Sequence, residues 1–209
     1  MAENDSALTL SDKIYQYLKE SIIKNKIRPN QRIQEKDIAV QFESSTTPVR
    51  EAVRRLSAEG FIEITPYRHA VVRQISSKEL EEMYDVITIL DYHALRTALN
   101  ELEAPHIQEI AALTEELERH CHVDALEKYL DLNALIHIKI WSVIKNKFLY
   151  STLLQVYNQI QRYAYVRYSV FARHGALKRS LKKHKRLLEA LLSRNGRGLK
   201  KLVKEHWKV

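Results

Sequence analysis

Apolar positions recur along this chain at helical intervals, and the places where the recurrence fails separate two regions. Leu10, Ile14, Leu18 and Ile22 stand four apart, so on a helix they form a single stripe, with Ser11-Asp12 offering a cap. Ile27-Arg28-Pro29-Asn30 ends that pattern with a turn signal. A short second helix is predicted from Glu35 to Phe42. Ser44-Ser45-Thr46-Thr47-Pro48 follows, with hydroxyls able to cap and a proline suited to a first turn. Val49, Val53 and Leu56 then carry a third helix as far as Glu59-Gly60. Two β-like runs, Phe61–Ile64 and Ala70–Arg73, are joined by Pro66-Tyr67-Arg68-His69. From residue 77 onward every segment reads as helix: about 77–101, 105–120, 123–145, 147–173, 177–194 and 197–208. The breaks fall at Pro105, His122-Val123, Asn146, Gly175 and Asn195-Gly196-Arg197-Gly198.

The predicted fold class is therefore mainly α. A winged helix-turn-helix with a small two-stranded wing occupies residues 1–76, and an all-α bundle of about six helices occupies 77–209. In a winged helix-turn-helix the third helix enters the major groove of DNA, its N-terminal residues nearest the base edges. Composition adds little to this but excludes some classes. Hydrophobic residues are 45% and charged residues 29%, an ordinary globular balance. The one cysteine, Cys121, cannot form an intramolecular disulfide, no apolar run approaches a membrane span, and the first residues are acidic and polar. A cytoplasmic protein with no membrane partner is expected. The net charge of +8 is unevenly spread. Residues 1–76 hold 12 Lys/Arg against 10 Asp/Glu, residues 77–172 hold 9 against 14, and residues 173–209 hold 13 against 2. The positive excess is thus remote from the segment placed on DNA, and the basic residues Lys182, Lys183, Lys185, Arg186, Lys200, Lys201 and Lys204 read as solvated helix faces.

The run IRPNQRIQEKDIAVQFESSTTPVREAVRRLSAEGFIEITPYRHAVV resembles the DNA-binding domain of the GntR family. That family's pattern is roughly L-x-P-G-x-x-L-x-E-x-x-L-A, then S-R-T-P-V-R-E-A-L-x-x-L-x-x-E-G-L. The match runs through Pro29, Glu35, Ala39, Ser45, Thr47, Pro48, Val49, Arg50, Glu51, Ala52, Leu56, Glu59 and Gly60. The resemblance implies DNA contacts at Lys36, Ser45, Thr46, Thr47 and Arg50, with His69 near the tip of the wing. Hydroxyls and cations at a helix start can bind phosphates alongside free backbone N–H groups. The alternative is that Ser45 and Thr46 only cap and Arg50 is only solvated. Thr46 stands where the family usually has Arg, and His69 where it usually has Gly. Loss of an Arg removes a possible bidentate guanine contact, so an operator other than the family's commonest is expected.

Beyond residue 76 no Gly-rich phosphate loop, C-x-x-C, H-E-x-x-H or G-x-S-x-G occurs. Asn133 and His137 are four apart and share a helix face, while His184 and His206 lie on two later helices. This set resembles the metal site of the C-terminal ligand-binding domain (the FCD type) in FadR-like GntR regulators. There an Asp and a His on one helix join two later His. The family's D-x-x-F-H, with an Asn nine residues after the His, aligns with Asn133-Ala134-Leu135-Ile136-His137 and Asn146. Asn133 replaces the usual Asp and brings no charge, so a divalent cation should bind more weakly. Ile87 stands where the family commonly has an Arg facing the pocket. The resemblance implies a divalent transition metal (zinc, nickel or manganese type) on Asn133, His137, His184 and His206. A hydrogen-bonded polar pocket without metal is the other reading. On the helix predicted over 147–173, Arg162, Arg167 and Arg173 are interspersed with Tyr163, Tyr165 and Tyr168. Arg162 and Tyr165 are the candidate effector contacts, unless these tyrosines only edge a helical core.

A transcriptional regulator is therefore expected, not an enzyme. It would be a homodimer on a pseudo-palindromic double-stranded operator, controlled by a small organic acid in the helical domain. The alternatives are a metal-responsive regulator and a helical metalloenzyme in which the three histidines activate water.

Overall fold

The computed structural model describes residues 8–65, 69–171 and 175–208, with backbone alone at 169–171. The chain divides into two compact units, Met1–Ile75 and Ser76–Val209.

In the first unit α1 (Leu10–Ile23) starts from Thr9 rather than from Ser11. The Thr9 hydroxyl accepts the Asp12 amide and Asp12 reaches back to the Thr9 amide, a reciprocal cap that satisfies two N–H groups the helix leaves open. Then follow β1 (Arg32–Ile33), α2 (Glu35–Gln41), α3 (Thr46–Ala58), β2 (Ile62–Ile64) and β3 (Ala70–Val72). The four-residue stripe of α1 meets Val49, Val53 and Leu56 of α3, and Phe61 and Val72 close the core. Gly60 ends α3 at φ 76°, a conformation glycine adopts without a Cβ clash, and the Phe61 amide donates to the Leu56 carbonyl there. Lys19 and Tyr15 of α1 both bond Glu59, fastening α1 to the end of α3.

The sheet has three strands, not two. Its order is β1-β3-β2, antiparallel throughout, with Ile33 opposite Ala70 and Ile62 opposite Val72. A two-residue strand is too short to show an alternating pattern, so β1 is invisible in the sequence. It is recruited by the turn before it, where the amides of Asn30 and Val72 donate to the carbonyls of Val72 and Gln31 respectively. The turn residues 66–68 lie outside the described residues.

The second unit holds α4 (Ser77–Glu101), α5 (Ala104–Arg119), a 3-10 turn (Val123–Ala125), α6 (Leu126–Trp141), α7 (Lys147–Phe171), α8 (Ala176–Leu192) and α9 (Leu199–Trp207). A reciprocal cap between Ser76 and Glu79 starts α4, and the Asn146 side chain takes the Leu149 amide at the start of α7. Helix α6 is shorter at both ends than its apolar pattern predicts. The 3-10 turn occupies its first three expected residues, and beyond Trp141 the Ile144 amide turns back to the Trp141 carbonyl. Helices α8 and α9 each follow a glycine at positive φ, Gly175 (75°) and Gly198 (73°). Packing joins α5 to α6 and α8, joins α4 to α7 and α9, and closes α6 on α7 and α8 on α9, so the six helices form one bundle.

Candidate functional site

The residues singled out for DNA gather around the start of α3. Lys36 on α2, and Ser45, Thr47 and Arg50 around the first turns of α3, are exposed; Thr46 is half-buried. Ser45 is the N-cap residue, yet its side chain makes no capping bond, so the hydroxyl is not consumed by the helix. The Arg50 Nε donates to Glu35 Oε2 at 2.9 Å, with both groups reaching solvent. An exposed pair of this kind contributes about 0–1 kcal/mol, so it aims Arg50 without holding it against a stronger partner. His69 is half-buried at the base of the wing turn, where its carbonyl accepts the amide and hydroxyl of Thr65.

In the helical unit, α4, α6, α7, α8 and α9 enclose a cavity of about 320 Å³. His137, His184 and His206 meet in its wall and are 1%, 3% and 9% exposed. His137 Nε2 lies 3.2 Å from His184 Nε2 and 3.1 Å from His206 Nε2. The Nδ1–H of His184 donates to the Ser180 carbonyl at 2.9 Å, which leaves its Nε2 as a bare lone pair. Burial disfavours the charged imidazolium at all three sites. His184 is brought down to about 4, and His137 and His206 lie well below the ordinary value, each helped by the neighbouring imidazoles.

A transition metal fits this donor set. Bonds of roughly 2.0–2.1 Å to imidazole put neighbouring ligand nitrogens about 3.0–3.4 Å apart, and the observed gaps fall in that interval. His206 Nδ1 is buried with no hydrogen-bond partner, and an ion held at Nε2 would not supply one. Asn133 lines the same cavity, and its Nδ2 donates to the Tyr157 hydroxyl at 3.0 Å, an orientation that leaves Oδ1 as the available donor atom.

Of the two effector candidates, the structure brings only Tyr165 to the cavity, where its hydroxyl donates to Asp131 at 2.9 Å. Arg162 is buried elsewhere and its Nη1 donates to Gln159. At about 100° per residue it is turned well over 90° from the line of Tyr157, Gln161, Ala164 and Tyr168 that faces the cavity. The cationic residues lining the cavity are instead Arg167, Arg179, Lys183 and Lys208. Lys183 is a correction to the solvated-face reading. It is half-buried, its Nζ donates to the carbonyls of His206 and Lys208, and desolvation together with Arg167 and Arg179 lowers its pKa. Arg173 lies outside the described residues. Ile87 is fully buried and does not line the cavity. Tyr84 does line it; burial, opposed by Arg167, pushes its hydroxyl up to about 12.

Sequence reasoning also passed over Asp91 on α4. It is fully buried and accepts from the indoles of Trp141 and Trp207, and burial raises its carboxyl to about 6. The available signal was one acid within an apolar helix face and two tryptophans whose N–H groups need acceptors.

Comparison with known proteins agrees with this geometry. Residues 10–72 match the profile of bacterial regulatory proteins of the gntR family, and residues 82–209 match the FCD domain. The chain is similar to the HTH-type transcriptional regulator YdhC of Bacillus subtilis, 24% identical over 194 residues, 92% of this chain and 85% of that protein. It is also similar to the transcriptional repressor RspR of Escherichia coli, 22% identical over 197 residues, 94% and 85% of the two chains. Among solved structures, E. coli McbR/YncC superposes with a TM-score of 0.82 at 22% identity, covering 96% of this chain and 94% of that one. A GntR regulator from Rhodococcus sp. RHA1 gives 0.78 at 18%, covering 94% and 93%. No described helix is long and apolar enough to cross a membrane. With a winged unit followed by an FCD domain over most of its length, the chain belongs to the GntR family and is a transcriptional regulator.

Proposed function

We propose that this regulator binds its operator through α3 and the wing, and that a small organic acid received in the FCD cavity, at a divalent metal, controls that binding. The observation that carries the reading is the convergence of three neutral imidazoles in a cavity also lined by Arg167, Arg179 and Lys183. His137, His184 and His206 would hold the metal, with the Asn133 amide oxygen as a fourth donor. Bound there, a zinc-, nickel- or manganese-type ion supplies a Lewis-acidic centre for ligand oxygens. All four protein donors are neutral, so the cation's charge is left to be balanced by the ligand, and the cationic residues of the lining point to the same sign. Glu205 is the one carboxylate among the described lining residues, and Arg186 holds it at 2.7 Å.

Ser45, Thr46, Thr47, Arg50 and Lys36 would meet phosphates and base edges, with His69 at the wing. A homodimer on a pseudo-palindromic double-stranded site supplies the surface that a single winged module lacks. The acid controls this only through different affinities for the DNA-competent and incompetent arrangements. The buried histidine cluster also favours a second reading, in which the metal alone is the signal.

One titration separates the readings. A labelled operator selected from a random pool is bound by chelator-treated protein, then by protein with zinc, and then with zinc and citrate. A change in affinity that requires both additions is the expected result. A change with zinc alone supports the metal-responsive reading, and no change with either refutes both. Asn133→Asp should raise zinc affinity by restoring the missing charge; unchanged affinity would remove Asn133 from the ligand set.

A further inference from the structure

Among the described residues, Asp91 is the one fully buried carboxylate, and the function above does not use it. Its Oδ1 accepts the indole N–H of Trp141 and its Oδ2 that of Trp207, both at 2.7 Å. These are the chain's two tryptophans, one at the end of α6 and the other at the end of α9. Both indoles lie against the ring of His137. The centroid of Trp141 is 5.3 Å away at 37°, and that of Trp207 is 5.0 Å away at 33°. Trp207 also meets His206 edge-on, at 5.1 Å and 82°.

We infer that Asp91 is a positioning residue for the three-histidine site, acting through Trp141 and Trp207 to fix how the imidazoles of His137 and His206 present their Nε2 atoms. The inference rests on the metal reading proposed above. Ring contacts between aromatic groups are weak and leave sliding and in-plane rotation open. A carboxylate–indole bond is directional and charge-assisted, so each indole becomes a fixed wall rather than a loose one. One carboxylate accepting on both oxygens also sets the two walls relative to each other, across α4, α6 and α9. An amide at this position can accept only on its oxygen, and an apolar residue would leave two buried N–H groups unpaired. Outer partners that orient metal ligands typically govern metal affinity by about 10–100-fold. In the known form of that effect the partner bonds the imidazole directly, whereas here two indoles stand between.

The test is a cobalt(II) titration of the chelator-treated full chain, followed by visible absorption of the bound ion and by tryptophan emission. Asp91→Asn should weaken cobalt binding about 10-fold or more and alter its absorption spectrum. Trp207→Phe keeps a ring but removes one N–H, and should change both readouts in the same direction by less. If Asp91→Asn does not fold, as judged by circular dichroism, Trp207→Phe and Trp141→Phe carry the test. Folded variants with wild-type affinity and spectrum overturn the assignment to Asp91 while the metal reading stands. A wild-type chain that takes up no cobalt overturns both.

Discussion

Arg50 and His137 are both basic side chains placed by a helix, and they occupy opposite surroundings. Arg50 stands in water near the start of α3, aimed by the partly exposed Glu35. His137 is 1% exposed among two indoles, a tyrosine and two further imidazoles. An exposed cation keeps its charge until a polyanion arrives, so its contribution depends on salt and is made only on binding. A buried imidazole is held neutral by desolvation, and its lone pair is ready before any ligand enters. The unit that buries such groups therefore becomes sensitive to acid.

The largest expected effect tests whether the two units behave separately. Leu56→Ala removes a fully buried side chain from the α1–α3 core and should destabilise the winged unit by about 2–5 kcal/mol, abolishing operator binding at 37 °C. Both tryptophans lie in the helical unit, so the emission-detected urea midpoint should stay in place. An equal shift in that midpoint would break the comparison.

Acid comes next. His184 has its pKa lowered from 6.5 to about 4, and His137 and His206 are lowered well below 6.5. Each takes up a proton more readily unfolded than folded. Their contribution to stability is therefore fully present above about 6.5 and is lost as pH falls from there toward 4, by something on the order of 3 kcal/mol for His184 alone. Asp91, raised from 3.8 to about 6, runs the other way and offsets part of the loss. The emission-detected urea midpoint should fall between pH 7.5 and pH 4.5; a constant midpoint would mean these imidazoles are not held neutral.

Arg50→Ala should weaken operator binding by about 1–3 kcal/mol with the fold intact, as read by anisotropy and circular dichroism. Unchanged affinity would move the DNA contact away from this helix turn. The smallest effect belongs to Lys36→Ala, which should lower the slope of log affinity against log salt by about 1 without changing the preferred sequence. A variant that changes sequence preference instead would make Lys36 a base reader.

How far the sequence foretold each unit follows from the same contrast. The proposed DNA contacts other than His69 lie within Lys36–Arg50, on consecutive elements whose order and caps are local, so a short ordered motif contains them. The cavity is assembled from helices far apart in the chain. Spacing could put Asn133 and His137 on one face, and resemblance could bring in His184 and His206. Nothing local could turn Arg162 away from the cavity or bring Lys183 onto it, because both depend on which face of α7 and α8 the neighbouring helices cover. Asp91 and β1 were missed for related reasons: one is defined by partners 50 and 116 residues away, the other by a strand that pairs across the wing.

The bond between Asp91 and Trp207 also bears on the order in which the unit is built. It spans 116 residues and closes the bundle from its first helix to its last. Helix α9 has nine residues, too few to persist in water alone, and so forms as it docks. His137 and His184 can be in place on earlier helices while His206 is still unattached. Closure of so long a loop is entropically slower than the local pairing of neighbouring helices. On the metal reading proposed above, full competence to hold an ion thus waits on the docking of α9, because a bundle without it presents two histidines where the native one presents three.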